Sequence, residues 1–179
     1  MTVNNCSYTS EKGIHMNIFF IHKCAFCAAK MQCDKHIVKM PLETCQIACT
    51  AHRYLDGDEY ADKHNLYKIA HLNHPSTVWA RSSKSHYEWL ISHFEALLDE
   101  KLRRYPTKPP HKSGELLEAL RKIPDNIPDV GFTPPPQCMP DEYKHDDTVQ
   151  AYRNYYCGAK AHIATWKWPA KRPEWYVIT

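Results

Sequence analysis

Glycine is scarce in this chain, at five residues in 179. No GxxxxGK[ST] or GxGxxG run occurs, so the glycine loops that cradle nucleotide phosphates have no counterpart here. HExxH and GxSxG are missing as well, which removes the usual anchors of zinc proteases and serine hydrolases. No apolar run approaches the roughly 20 residues of a membrane span. The longest one near the start is Ile18–Ile21, and no secretory core surrounds it. Charge of one sign is also lacking. With 23 basic and 20 acidic residues the net charge is +3, which excludes a histone-like polycation and an acidic tail protein. These absences point to a chain without a membrane partner, expected in the cytoplasm (of an infected host cell if viral).

What is abundant points to a folded molecule. Thirteen prolines, eleven tyrosines and five tryptophans give an aromatic mass that disordered segments do not carry. The length suits one domain able to bury about two-thirds of its unfolded surface. Eight cysteines, at 6, 24, 27, 33, 45, 49, 138 and 157, read as reduced thiols, as in an intracellular protein.

The pattern along the chain predicts a mainly α fold. It is a single compact helical domain over 16–179, with a short N-terminal extended segment and a proline-rich ordered strap. Residues 1–15 are polar and aperiodic and read as a flexible extension, with Met16 a candidate original start. Asn17–His22 has strand-like content but is short, and reads as one buried extended segment. Helical spacing from Cys24 to about His52 contains Pro41, which predicts a kink near Ile37–Met40 or two shorter helices. Residues 53–74 read as loop. From Ser76 to Tyr105 an apolar stripe predicts one long helix opened by Pro75, with basic residues at its end. A short helix fits Ser113–Ile123, capped by Ser113. Residues 124–140 hold six prolines and read as a strap anchored by Ile127, Val130, Phe132 and Met139. A last helix is predicted from about Asp146 to Trp166, capped by Asp146, Asp147 or Thr148.

Four constellations carry chemistry. Cys24-x2-Cys27-x5-Cys33-x2-His36 has the ligand mix of a zinc site. On a straight helix, however, these four positions do not converge, so small buried cysteines are the competing reading and no metal or cofactor is assigned. Lys35 and Lys39 share a helix face beside His36. Two ammonium groups at that spacing repel each other, so they face either a phosphate or the nearby carboxylates of Asp34 and Glu43. Asn73-His74-Pro75 opens a helix, where free N–H groups attract anions, and Arg81 adds a bidentate fork. The last third interleaves cations with rings: Asp141-Glu142-Tyr143-Lys144, Tyr152-Arg153-Asn154-Tyr155-Tyr156, Lys160, Trp166-Lys167-Trp168 and Trp175-Tyr176. Such interleaving suits phosphates and stacked bases, although tyrosine and tryptophan at helical spacing also build cores.

From Met16 onward, the stretches Met16-Asn17-Ile18-Phe19, Cys33-Asp34-Lys35-His36, Asn73-His74-Pro75 with Trp79 and Arg81, Tyr87-Glu88-Trp89-Leu90, Met139–Lys144 and Ala151–Tyr156 resemble a family of small phage-encoded proteins. The layout is also similar to the pyrimidine-dimer DNA glycosylases, through Asn73-His74, the helix after it and Trp175-Tyr176. That family forms a Schiff base through an N-terminal amine, assisted by a carboxylate in the pattern Arg-Glu-x-x-Arg. Here Lys35-His36-x2-Lys39 fills the basic positions but puts His36 where the carboxylate stands, and residues 1–15 precede the position of the amine. What the resemblance implies is therefore phosphate and base binding ahead of lyase chemistry.

Three readings follow. The first is a DNA-acting, glycosylase-like protein. In it Lys35, Lys39, Asn73, His74, Arg81, Arg153 and Lys160 hold phosphates, and Trp79, Tyr143 and Tyr155 stack on an extruded base. His36 or Asp141 then serves as acid or base, histidine because it ordinarily titrates near neutrality. The second is a pocket protein for a nucleotide or other phosphorylated small molecule. The third is a zinc-stabilised module built on Cys24, Cys27, Cys33 and His36.

Overall fold

The computed structural model describes residues 16–178; the predicted flexible extension at 1–15 lies outside them. Residues 16–21 are all buried and lie between the two halves of the interior. Met16 and Ile18 join one apolar cluster, while Phe19, Phe20 and Ile21 join the other. This is the predicted extended segment, and it has no partner strand. Its backbone donors are met in other ways, as burial demands. Asn17 N–H donates to Glu43, Ile18 and Phe19 N–H donate to the Asn17 side chain, and Ile21 N–H returns to the Phe19 carbonyl.

The described residues form seven α-helices: α1 (Ala25–Met31), α2 (Asp34–Asp56), α3 (Asp58–Lys63), α4 (Pro75–Ala80), α5 (Lys84–Arg104), α6 (Leu117–Leu120) and α7 (Thr148–Cys157). Among the described residues there is no strand, so the fold is the mainly α domain that the sequence predicts. The long α5 packs against both α1 and α2. Among the described residues no helix is long and apolar enough to cross a membrane.

Several boundaries differ from the sequence reading, and tertiary contacts explain why. The helix predicted from Cys24 to His52 is broken at Gln32–Cys33, and α2 then runs unbroken through Pro41 to Asp56. Arg104 holds the break open. Its guanidinium donates to the carbonyls of Lys30 and Gln32 at 2.9 and 2.8 Å, and pairs with Asp34 at 3.2 Å and Glu100 at 3.0 Å. The predicted loop 53–74 contains α3, drawn back onto α2 because Arg53 pairs with Asp58 and Asp62 and donates to the carbonyls of Leu66 and Tyr67. The long helix predicted from Ser76 is divided at Arg81–Ser83 into α4 and α5. There the strap intrudes, with Lys84 N–H donating to Pro128 O at 2.7 Å and Thr133 N–H donating to His86 Nε2 at 2.8 Å.

The Ser113–Ile123 helix is a 3-10 turn (Lys112–Leu116) followed by α6, and its cap is His111, not Ser113. The last helix starts at Asp147 as cap but ends at Cys157, far short of Trp166. Gly158 follows, and a Cβ there would collide with Tyr143 Cε1. The strap is irregular and ordered as predicted. Trp79 Nε1 donates to Thr133 O, the Tyr152 hydroxyl donates to Pro136 O, and Asn17 Nδ2 donates to Cys138 O. Met139 anchors it, whereas Val130 points to solvent at 75% exposure.

Candidate functional site

On α2, His36, Lys39 and Glu43 fall at i, i+3 and i+7, which places them on one face. That face meets the buried N-terminal segment. The Glu43 carboxylate is buried, yet it has a cation and a backbone donor. Lys39 Nζ lies 2.9 Å from Oε1, and Asn17 N–H donates to Oε2 at 3.2 Å. The Lys39 side chain is 61% exposed, so the site reaches solvent through the lysine while the carboxylate lies beneath it.

Beside this pair the chain takes a left-handed turn at Phe19, with φ 55°. A bulky residue adopts that conformation only where its surroundings fix it. Here the Phe19 ring stacks on the His36 imidazole, 4.1 Å between centroids. His36 Nδ1 lies 2.5 Å from the Tyr156 hydroxyl, which also accepts the Cys33 N–H. The same hydroxyl also lies 3.9 Å from Cys33 Sγ. Burial, then the charges of Lys160 and Lys39, lower the His36 pKa to about 3. His36 is thus a neutral ring at ordinary pH, and the near-neutral titration expected of it is not found.

Rings continue outward from Phe19. Tyr155 stacks with it at 6.2 Å, Tyr143 leans on Tyr155 at 5.4 Å, and Lys160 Nζ sits 4.8 Å from the Tyr155 ring centre. His36, Lys39, Tyr143, Tyr155 and Lys160 thus gather around Phe19, with Lys35 exposed one residue before His36. Tyr155 itself is buried and offers little open face. The strap links this region to the start of α4, because Cys138 O accepts from Asn17 while its thiol lies 3.5 Å from Ser76 Oγ. His74 caps α4 by accepting the Ser76 N–H, and Asn73 is exposed just before it.

Other residues singled out from the sequence have different employment. Arg81 is buried, donates to Leu72 O at 2.7 Å and lies over the Tyr54 ring at 4.3 Å. Tyr54 is eleven residues beyond Glu43 along α2, about 16 Å at 1.5 Å per residue. Arg153 donates to Ile21 O and lies over Trp175. Asp141 is exposed and pairs with Lys144 at 2.6 Å. Trp79 is interior, stacked on His86 at 4.6 Å.

The four-ligand zinc set is not assembled. Cys33 and His36 are both engaged with Tyr156 in the interior, while Cys24 and Cys27 lie at the start of α1 with His22. Sequence reasoning took Glu43 only as an ion-pair partner and passed over Asn17, Phe19 and Cys138 as site residues. The i, i+4 spacing of Lys39 and Glu43 was the one signal available for the carboxylate.

Residues 16–113, more than half of the chain, match the family model described as pyrimidine dimer DNA glycosylase. No curated protein and no solved structure matches the chain.

Proposed function

The chain belongs to the pyrimidine dimer DNA glycosylase family, and on that premise we propose that it binds duplex DNA and excises a damaged base extruded from the stack. The observation that carries the reading is the buried Glu43 carboxylate, held between Lys39 and the Asn17 N–H on the helix face that also bears His36. Breaking a glycosidic bond develops positive charge on the sugar. A fixed carboxylate in a water-poor site stabilises that charge, or takes a proton from the attacking water. In this reading Glu43 fills the part for which His36 and Asp141 are the sequence candidates, with no need for a charged imidazole.

Lys35, Lys39 and Lys160 surround this point with positive charge and are the proposed phosphate contacts. As a phosphate approaches, Lys39 turns its ammonium from Glu43 toward the backbone, which frees one carboxylate oxygen. His36, neutral, is a hydrogen-bonding group in the floor of the site. The Asn17 backbone N–H donates to Glu43. Hydrolytic base release is the reaction proposed.

The test is incubation with ultraviolet-irradiated duplex DNA, scored for abasic sites, alongside binding measured at about 50 mM salt. Base release with salt-sensitive binding is the expected result. Absence of both removes the reading.

A second reading has one specific observation in its favour. A cavity of about 440 Å³ is lined by Phe20, Trp89, Phe132 and Pro134, with Lys23 and Asp147 at its edge. Its size and aromatic walls suit a nucleotide-like molecule. A thermal-shift screen of nucleotides, with Trp89→Ala as control, tests that alternative.

A further inference from the structure

We propose that His22, Cys24 and Cys27 form a zinc site at the turn that leads from the buried N-terminal segment into α1. Their three ligand atoms lie within 4.8 Å of one another, one exposed and two half-buried. Zinc bonds of about 2.3 Å to sulfur and about 2.0 Å to nitrogen require donors of this kind at only slightly closer spacing. The site differs from the set suggested by the sequence, because His22 joins the two cysteines and Cys33 and His36 stay in the interior.

The surroundings prepare the ligands. Cys24 Sγ accepts the Cys27 N–H at 3.5 Å, so a backbone donor already points at the sulfur that would carry negative charge. The His22 ring is turned toward the same turn, with Nδ1 accepting the Cys24 N–H at 2.9 Å. The turn is fixed from the other side by Trp89 Nε1, which donates to Lys23 O at 2.7 Å.

Binding releases both thiol protons to solvent and exchanges the Cys24 N–H bond at His22 for a metal–nitrogen bond. Among the described residues no fourth histidine, cysteine or carboxylate shares this cluster. The fourth position therefore falls to water or to a donor from outside. Three protein ligands with an open position is an arrangement distinct from a closed four-cysteine structural site.

The test titrates reduced, chelator-treated full-length protein with Co2+ and then Zn2+. Expected is a thiolate-to-cobalt charge-transfer band with the intense visible bands of a four-coordinate ion, erased by zinc. Cys24→Ser and Cys27→Ser should each abolish the charge-transfer band, His22→Ala should shift the visible bands, and Cys138→Ser should change neither. Circular dichroism establishes that each variant is folded. No charge-transfer band in the parent protein, or a band that survives in folded Cys24→Ser/Cys27→Ser, overturns the proposal. Neither result bears on base release, which is measured separately.

Discussion

The Tyr156 hydroxyl lies 2.5 Å from His36 Nδ1 while Phe19 covers one face of the same ring. The imidazole is kept neutral, its pKa lowered to about 3 by burial first and by Lys160 and Lys39 second. His93, buried and bonded to Ala25 O and Gln32, is lowered to about 4. The unfolded chain protonates both rings near 6.5, so below that pH it binds more protons than the folded chain. Stability contributed by the neutral rings is therefore complete above about pH 6.5 and is lost as pH falls toward the folded values. The slope is at most about 1.4 kcal/mol per pH unit for each ring. Urea midpoints between pH 6.5 and 4 should fall, and His36→Leu should flatten the decline. An unchanged slope in that variant would contradict the assignment.

Arg104 joins α1, α2 and α5, with Asp34 and Glu100 both buried against it. Removing one partner of a buried ionic cluster leaves charge uncompensated, at about 3–5 kcal/mol. Arg104→Met should lower unfolding stability by that order in chemical denaturation. A loss under about 1 kcal/mol would show that the cluster does not hold the break between α1 and α2.

Gly158 leaves room for Tyr143, the outermost ring of the site. A Cβ there would collide with Cε1 and stand 2.9 Å from the hydroxyl oxygen. Gly158→Ala should cost about 1–3 kcal/mol unless the ring swings away. Tyr143→Ala in the same chain should recover most of the loss. Additive effects of the two changes would exclude the contact as the cause.

Phosphate contacts can be separated from internal cations by salt dependence. Lys35→Ala, Lys39→Ala and Lys160→Ala should each reduce the slope of log affinity against log salt by about 0.9. Arg81→Ala should lower stability and leave that slope unchanged, because its guanidinium is spent on Leu72 O and Tyr54. A slope change confined to Arg81→Ala would reverse the proposed orientation of the DNA.

Periodicity, capping residues and proline placement made much of this architecture readable before any coordinates. The buried 16–21 segment, the irregular strap and the Asp147 cap follow from apolar content, proline placement and capping chemistry. Boundaries were misread where a distant group decides them. Arg104, some 70 residues away in the chain, opens the break at Gln32–Cys33, and the strap inserts at Ser83. The site was legible in part for the same reason. The basic face of α2 follows from i, i+4 spacing, so Lys35, Lys39 and His36 stood out. Glu43 acquires its role only when Asn17, 26 residues earlier, turns its N–H onto the carboxylate. Arg81 and Trp79 looked like ligand-facing groups because composition does not tell a buried cation or indole from an exposed one.

The central claim rests on one carboxylate, and Glu43→Gln tests it while nearly preserving shape. Single-turnover base release from ultraviolet-irradiated duplex should slow by about 100-fold or more, with DNA affinity essentially unchanged. Release at the parent rate by a folded Glu43→Gln protein would contradict the account.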